Sequence, residues 1–239
     1  SNNASDYNTI FGEGIMGTGA VAGATYNTAV GYDALKNLTA GDYNVAVGGL
    51  ALDAVAVGES YNVAIGLAAM TSVDEGTGGG DADYNVAIGY NALEGGDFGG
   101  YDRQLSGNIA IGAYAMDSTG AHPQTGTIGI GYSALTALLD GLGNVAIGYQ
   151  ASTSVTSGLY NTALGYQAFA TSTTFGDHNT ALGYQSLYTM NADTDTHGWN
   201  TAVGSKAGSG LTTAVNSTLI GYYAGGVGTM TGDNNTCIG

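Results

Sequence analysis

The residues best equipped for chemistry sit in short acidic and aromatic stretches. The segment "VDEGTGGGDAD" carries Asp74, Glu75, Asp81 and Asp83 among glycines, and "NADTDTH" carries Asp193 and Asp195. Calcium takes six to eight oxygen ligands from flexible, Asp-rich loops, so the first segment is a candidate calcium site. Its spacing is neither that of an EF-hand nor that of a calcium-binding β-roll nonapeptide. The competing reading is a solvated acidic turn that keeps copies apart. No other cofactor is expected. Phe98, Tyr101 and Tyr188 are candidate sugar-contacting aromatics. The histidines are His122, His178 and His197, and no serine, cysteine or metal-ligand constellation accompanies them, so no enzyme is expected.

All these residues except His178, which takes the leading Tyr position of one copy, lie between copies of one phrase. "YNVAIGYNAL" at Tyr84 returns as "YNTAVGYDAL" at Tyr26 and "YNTALGYQAF" at Tyr160, and aligning on the closing glycine gives thirteen copies, from Gly12 to Gly239. The spacing is 17 or 18 residues with occasional insertions, and the register runs unbroken over residues 1–239, which reads as one repeat domain without an internal boundary. The longest insertions are Thr71 to Asp83, Glu94 to Ser106 and Thr189 to Gly198.

Within the phrase, the residue before the glycine is large and apolar, the residue three before it is Thr, Val or Ile, and the one between them is Ala in nine copies. Two β-branched or bulky columns separated by a small one is a period of two, the signature of a strand. The bulky columns are expected to face a core, and the Ala column to face outward. Asn stands four before the glycine in eleven copies; Asn27, Asn44, Asn62, Asn85, Asn144 and Asn161 are expected to stack into a hydrogen-bonded ladder. The glycines Gly31, Gly48, Gly66, Gly89, Gly148 and Gly165 belong to a column where the backbone needs unusual angles or a Cβ would block a contact. Ala recurs three residues past the glycine, usually followed by Leu or Met, and predicts a second short strand or a turn. Tyrosines before the Asn and after the glycine account for thirteen of seventeen and are read as stacks between coils.

The fold that follows is all-β: a parallel β-solenoid of about 13 coils of 17–18 residues. A strip of Ala and Gly on the outside would suit close packing against another chain, which predicts a parallel homo-oligomer, a trimer with the Ala column near its axis. Cys237 occupies the Ala slot of the last copy and reads as a small buried residue; with a single cysteine, no internal disulfide forms. The chain starts and stops within the phrase, which reads as a slice of a longer fibre or as ends that stack on other copies.

Composition narrows the partners. A formal charge of −16 with only three Lys and Arg argues against nucleic acid and anionic membranes. No apolar run reaches the roughly 20 residues that span a bilayer, so membrane insertion is not expected. The start lacks signal-peptide features and reads as a processed product or an excised segment.

"NVAIG", at Asn85 to Gly89 and Asn144 to Gly148, with Ala three residues on, resembles the head repeat of YadA-like trimeric autotransporter adhesins. "NTALGYQA", at Asn161 to Ala168 and nearly again from Asn179, is similar to repeats of phage tail-fibre proteins. The first resemblance implies trimers of left-handed parallel β-rolls, although the adhesin repeat is shorter than the one here. Both imply an extracellular location, on a cell or virion surface.

The expected function is therefore a structural and adhesive fibre or fibre head that presents loops to a host-surface glycan or protein and assembles with itself, end to end in a filament. A tail-fibre or tailspike segment with glycan-directed activity is one alternative. Ice or crystal-surface binding is another, and the expected inward turn of the Thr column weighs against it.

Overall fold

The computed structural model describes residues 7–17, 23–54, 58–73, 82–95, 104–118, 124–171, 176–190 and 198–239. The described residues contain strands and turns and no helix. They fall into two compact units, residues 1–126 and 127–239.

The first unit contains β1 (Thr9–Phe11), β2 (Thr28–Val30), β3 (Val45–Val47), β4 (Val63–Ile65), β5 (Val86–Ile88), β6 (Leu105–Ser106), β7 (Ile109–Ile111) and β8 (Gln124–Thr125). Strands β1, β2, β3, β4, β5 and β7 pair in that order, all parallel. The second unit contains β9 (Ile128–Ile130), β10 (Gly141–Leu142), β11 (Val145–Ile147), β12 (Thr162–Leu164), β13 (Thr180–Leu182), β14 (Thr201–Val203), β15 (Thr218–Ile220) and β16 (Thr236–Ile238). Here β9 and β11 to β16 pair consecutively and in parallel. In every pair, equivalent residues of the phrase are partners: Thr28 with Val45, Ala29 with Ala46, Val30 with Val47. Each unit is thus a parallel β-solenoid with one three-residue strand per coil. Of the two forms expected after the glycine, a short strand or a turn, the structure has the turn; the two-residue β6 and β8, which pair in parallel, lie before the Asn.

The segment after the glycine is a turn of alternating handedness. Leu50 and Leu52 have φ of +58° and +51°, and Gln167 and Phe169 have +50° and +52°, with the buried Ala between each pair. Their backbones still bond from coil to coil: Leu50 N–H donates to the Tyr32 carbonyl at 2.9 Å and Leu52 N–H to the Ala69 carbonyl at 3.0 Å.

This turn decides what the core is made of, and it reverses the expected faces. The Ala column of the strands (Ala29, Ala46, Ala64, Ala87, Ala110, Ala146, Ala163, Ala181, Ala202) is fully or almost fully buried, whereas the β-branched and bulky columns are half-buried or exposed. Most of the large core residues come from the turn: Leu35, Leu52, Met70, Leu93, Met116, Leu135, Phe169 and Leu187, with Leu38, Leu105 and Leu138 added from elsewhere in the coil. The physical reason is room. A coil this short has a narrow interior, and where the turn sends in a Leu, Met or Phe, only a small residue fits opposite. The Ala column is therefore inside each coil and cannot line an axis shared with another chain. Cys237, in that column of β16, is a free thiol of intermediate exposure rather than a buried one.

Two exceptions show the volume rule at work. In β15 the inward slot holds Leu219, and the neighbouring turns hold Gly208 and Gly225 where most other coils place Leu, Met or Phe. A Cβ on Gly225 would stand 2.2 Å from Leu219 Cδ2, and one on Gly208 3.1 Å from Leu219 Cδ1.

A candidate docking face and the ladders behind it

Reading one rung outward from the buried Asn shows strict alternation. In "YNTALGY", Tyr160, Thr162, Leu164 and Tyr166 are exposed, while Asn161 and Ala163 are buried. The next rung keeps the alternation, with His178, Leu182 and Tyr184 exposed and Thr180 half-buried. In the first unit, Tyr26 and Tyr32 are exposed with Thr28 and Val30 half-buried between them, and two coils on Tyr61, Ile65 and Leu67 are exposed with Val63 half-buried, all on the side opposite the buried Asn and Ala. The outer face of each sheet is thus a field of β-branched and aliphatic side chains edged by aromatic rows.

The rows are ordered. Tyr7, Tyr26, Tyr43, Tyr61 and Tyr84 stack with centroids 4.9 to 5.0 Å apart and planes within 10°. In the second unit, Tyr160, His178 and Trp199 stack along one margin, and Tyr132, Tyr149, Tyr166 and Tyr184 along the other. Lys206 brings its ammonium to 6.0 Å from the Tyr184 centroid. The second unit's rows carry no Asp, Glu, Lys or Arg.

Behind this face runs the Asn ladder. Each side-chain oxygen accepts the backbone N–H of the next Asn: Asn27 to Asn44 at 2.8 Å, Asn44 to Asn62 at 2.9 Å, Asn62 to Asn85 at 2.9 Å, Asn144 to Asn161 at 2.9 Å. Each side-chain amide donates to a carbonyl of an adjoining coil, as Asn44 does to Glu59 at 2.7 Å and Asn144 to Gly158 at 2.5 Å. The rungs are linked chiefly through side chain to backbone, so every buried polar atom of an Asn has work to do. The glycines stand at φ of +138° to +142° in Gly31, Gly48, Gly66, Gly89, Gly148 and Gly165, and a Cβ on any of them would lie 2.3 to 2.6 Å from the carbonyl oxygen of the next glycine in the column.

A third column escaped the sequence reading. Asp42, Asp83, Asp177 and Asp233, each two residues before the Asn, accept a backbone N–H from the preceding coil: Thr25 at 2.6 Å, Ser60 at 2.6 Å, Leu159 at 2.8 Å and Val215 at 3.1 Å. The signal was legible as a recurring Asp-x-Asn. It gives Asp83 a position in the coil-to-coil bonding. Its candidate calcium co-ligands Asp74, Glu75 and Asp81 lie outside the described residues, as do Asp193, Asp195, Phe98, Tyr101, His122 and His197. Among the described residues no three His, Cys, Asp or Glu side chains gather in a metal-holding group. Tyr188 is half-buried, and its carbonyl accepts the Thr171 N–H at 3.3 Å. His178 fills a tyrosine slot.

Burial pushes the carboxyls of Asp53 and Asp117 above their ordinary range. Lys36 and Asp33 form an ion pair at 2.7 Å on a turn. None of these stands in the rows of the outer face.

No protein-family model, curated protein or solved structure matches this chain.

Proposed function

We propose that the chain is an extracellular structural and adhesive module, a fibre segment or fibre head that carries its outer face and inter-coil loops away from a cell or virion surface. The observation that supports it is the way coils are joined. Backbone, Asn, Asp and glycine columns repeat the same bonds at each step, so a coil is stable through its neighbours and length is added without new design. The motif resemblance to adhesin heads and phage fibres points the same way. So does the acidic charge, which keeps copies dispersed outside their specific contacts. Beads coated with the purified protein should be retained on host cells or glycan-coated surfaces above beads coated with albumin. Equal retention contradicts the adhesive role, and release of sugars from the glycan supports the tailspike alternative.

A second reading is favoured by the outward Thr column. Thr162, Thr180, Thr201, Thr218 and Thr236 occupy consecutive rungs of the second unit on the exposed side of a regular sheet, the placement that a crystal- or ice-binding solenoid needs. Thermal hysteresis and arrest of ice recrystallisation test it directly.

A further inference from the structure

The outer face of the second unit is built like half of an interface. Across one rung, the columns from Tyr160 to Tyr166 span about 20 Å, and from β9 through β11 to β16 six steps at the usual strand spacing rise about 29 Å, which gives roughly 600 Å² of largely apolar surface. That lies at the top of the range for a patch that a soluble monomer leaves bare. Leu164, Leu182 and Ile220 are each about 40% exposed (41%, 40% and 41%) at its centre.

The aromatic margin adds an independent argument. Tyr160, His178 and Trp199 all stand in the left-handed backbone region, at φ of +57°, +56° and +57°, where a side chain costs about 1 kcal/mol or more relative to glycine. The same slot holds Gly143 in β11's rung, at φ +63°, so the fold accepts glycine there. Ring stacking returns about 0.5–1.5 kcal/mol per pair, which only offsets the strain. Folding alone therefore gives little reason to keep large rings at the margin, and the half of each ring that remains exposed is the part a partner would cover.

We propose that this face is a homotypic interface, on which a second copy of the chain lays its own Thr, Leu and Tyr rows. The proposal deepens the fibre reading and rests on it, because it supplies the lateral contact by which fibres thicken or a head assembles. Three observations select a second copy over other occupants. A chain of charge −16 repels its like everywhere except across a surface without charge, and these rows are that surface. Rung spacing is the same on both partners, so the columns of one copy fall between those of the other along the whole height. Pairing two such faces buries about 1,200 Å² in total, within the size of stable protein–protein contacts.

The test is sedimentation velocity on the full chain across a concentration series, for the wild type and for Leu182→Lys, with Thr180→Lys as a second variant on the adjacent column. The wild type should sediment as a dimer or larger, and each lysine should weaken association by about 100-fold or more, because it brings an unpaired charge into a dry contact. Circular dichroism and melting should stay unchanged, since both side chains already face solvent in the single chain. A wild type that is monomeric at every concentration overturns the proposal, as does an oligomer that survives both lysines. A monomer that shows thermal hysteresis assigns the face to ice instead. If the monomer still retains beads on host surfaces, the adhesive reading stands while the interface falls.

Discussion

The side-chain oxygen of Asn44 accepts the backbone N–H of Asn62, one coil away, at 2.9 Å, and Asn62 passes the same bond on to Asn85. Asn62 is fully buried, and its amide also donates to the Ala82 carbonyl at 2.6 Å. Asn62→Ala would leave the Asn85 N–H and the Ala82 carbonyl without these partners in the interior, so a loss of about 2–4 kcal/mol is expected. Urea unfolding followed by circular dichroism measures it. A loss below about 0.5 kcal/mol would mean that the ladder carries no stability.

Gly66→Ala should be more damaging than its small size suggests. The residue stands at φ +138°, and the added methyl would lie 2.4 Å from the Gly89 carbonyl oxygen. Backbone strain and overpacking together are expected to cost about 3 kcal/mol or more. Gly232→Ala, with open space around its Cβ, serves as the control and should change stability by no more than about 0.5 kcal/mol.

The exchange of volume around β15 predicts coupling. Leu219→Ala leaves a cavity and should cost about 2–5 kcal/mol. Adding Gly225→Leu, whose nearest obstacle is Leu219 itself, restores the pairing of a small strand residue with a large turn residue within that coil, and should recover more than half of that loss. Thermal melts of the two singles and the double would show it; simple additivity would contradict the shared space.

Acid carboxyls supply a pH-dependent prediction. The Asp53 pKa is raised in the folded state, chiefly by burial, so folding takes up a proton between the ordinary carboxylate range and the raised value. The stability of the wild type with respect to this group is greatest below about pH 4 and falls as pH rises through the folded pKa. Asp53→Asn should therefore be more stable than the wild type at pH 7. That advantage should close as the pH falls below about 4.

Much of this architecture was legible in the residue columns. The glycine register, parallel in-register pairing, the Asn ladder and the tyrosine stacks all follow from identical residues recurring at one interval. The orientation of the sheet was not legible by the same logic. Hydrophobicity assigned Val47 and Ile65 to the core and Ala46 and Ala64 to the surface, whereas the coil interior has room only for the small column once Leu52 and Met70 enter from the turn. The clue was the Ala–Leu and Ala–Met phrase after the glycine, whose left-handed backbone is invisible in residue type because Leu and Met rarely adopt it. The Asp column was missed because charged residues read as loop solvation, although Asp42 and Asp177 each bind the backbone of the preceding coil.

The inverted orientation is tested most directly by thiol labelling at two adjacent strand positions in a Cys237→Ser background. Ala163→Cys and Leu164→Cys place one thiol on each side of β12, and Cys is already tolerated in the inward column at position 237. In the folded protein, diluted until it sediments as a monomer, Cys at 164 should react with a small water-soluble maleimide at a rate close to that of an unfolded chain, and Cys at 163 only after denaturation. Rapid labelling at 163 with protection at 164 in the dispersed monomer would contradict the account.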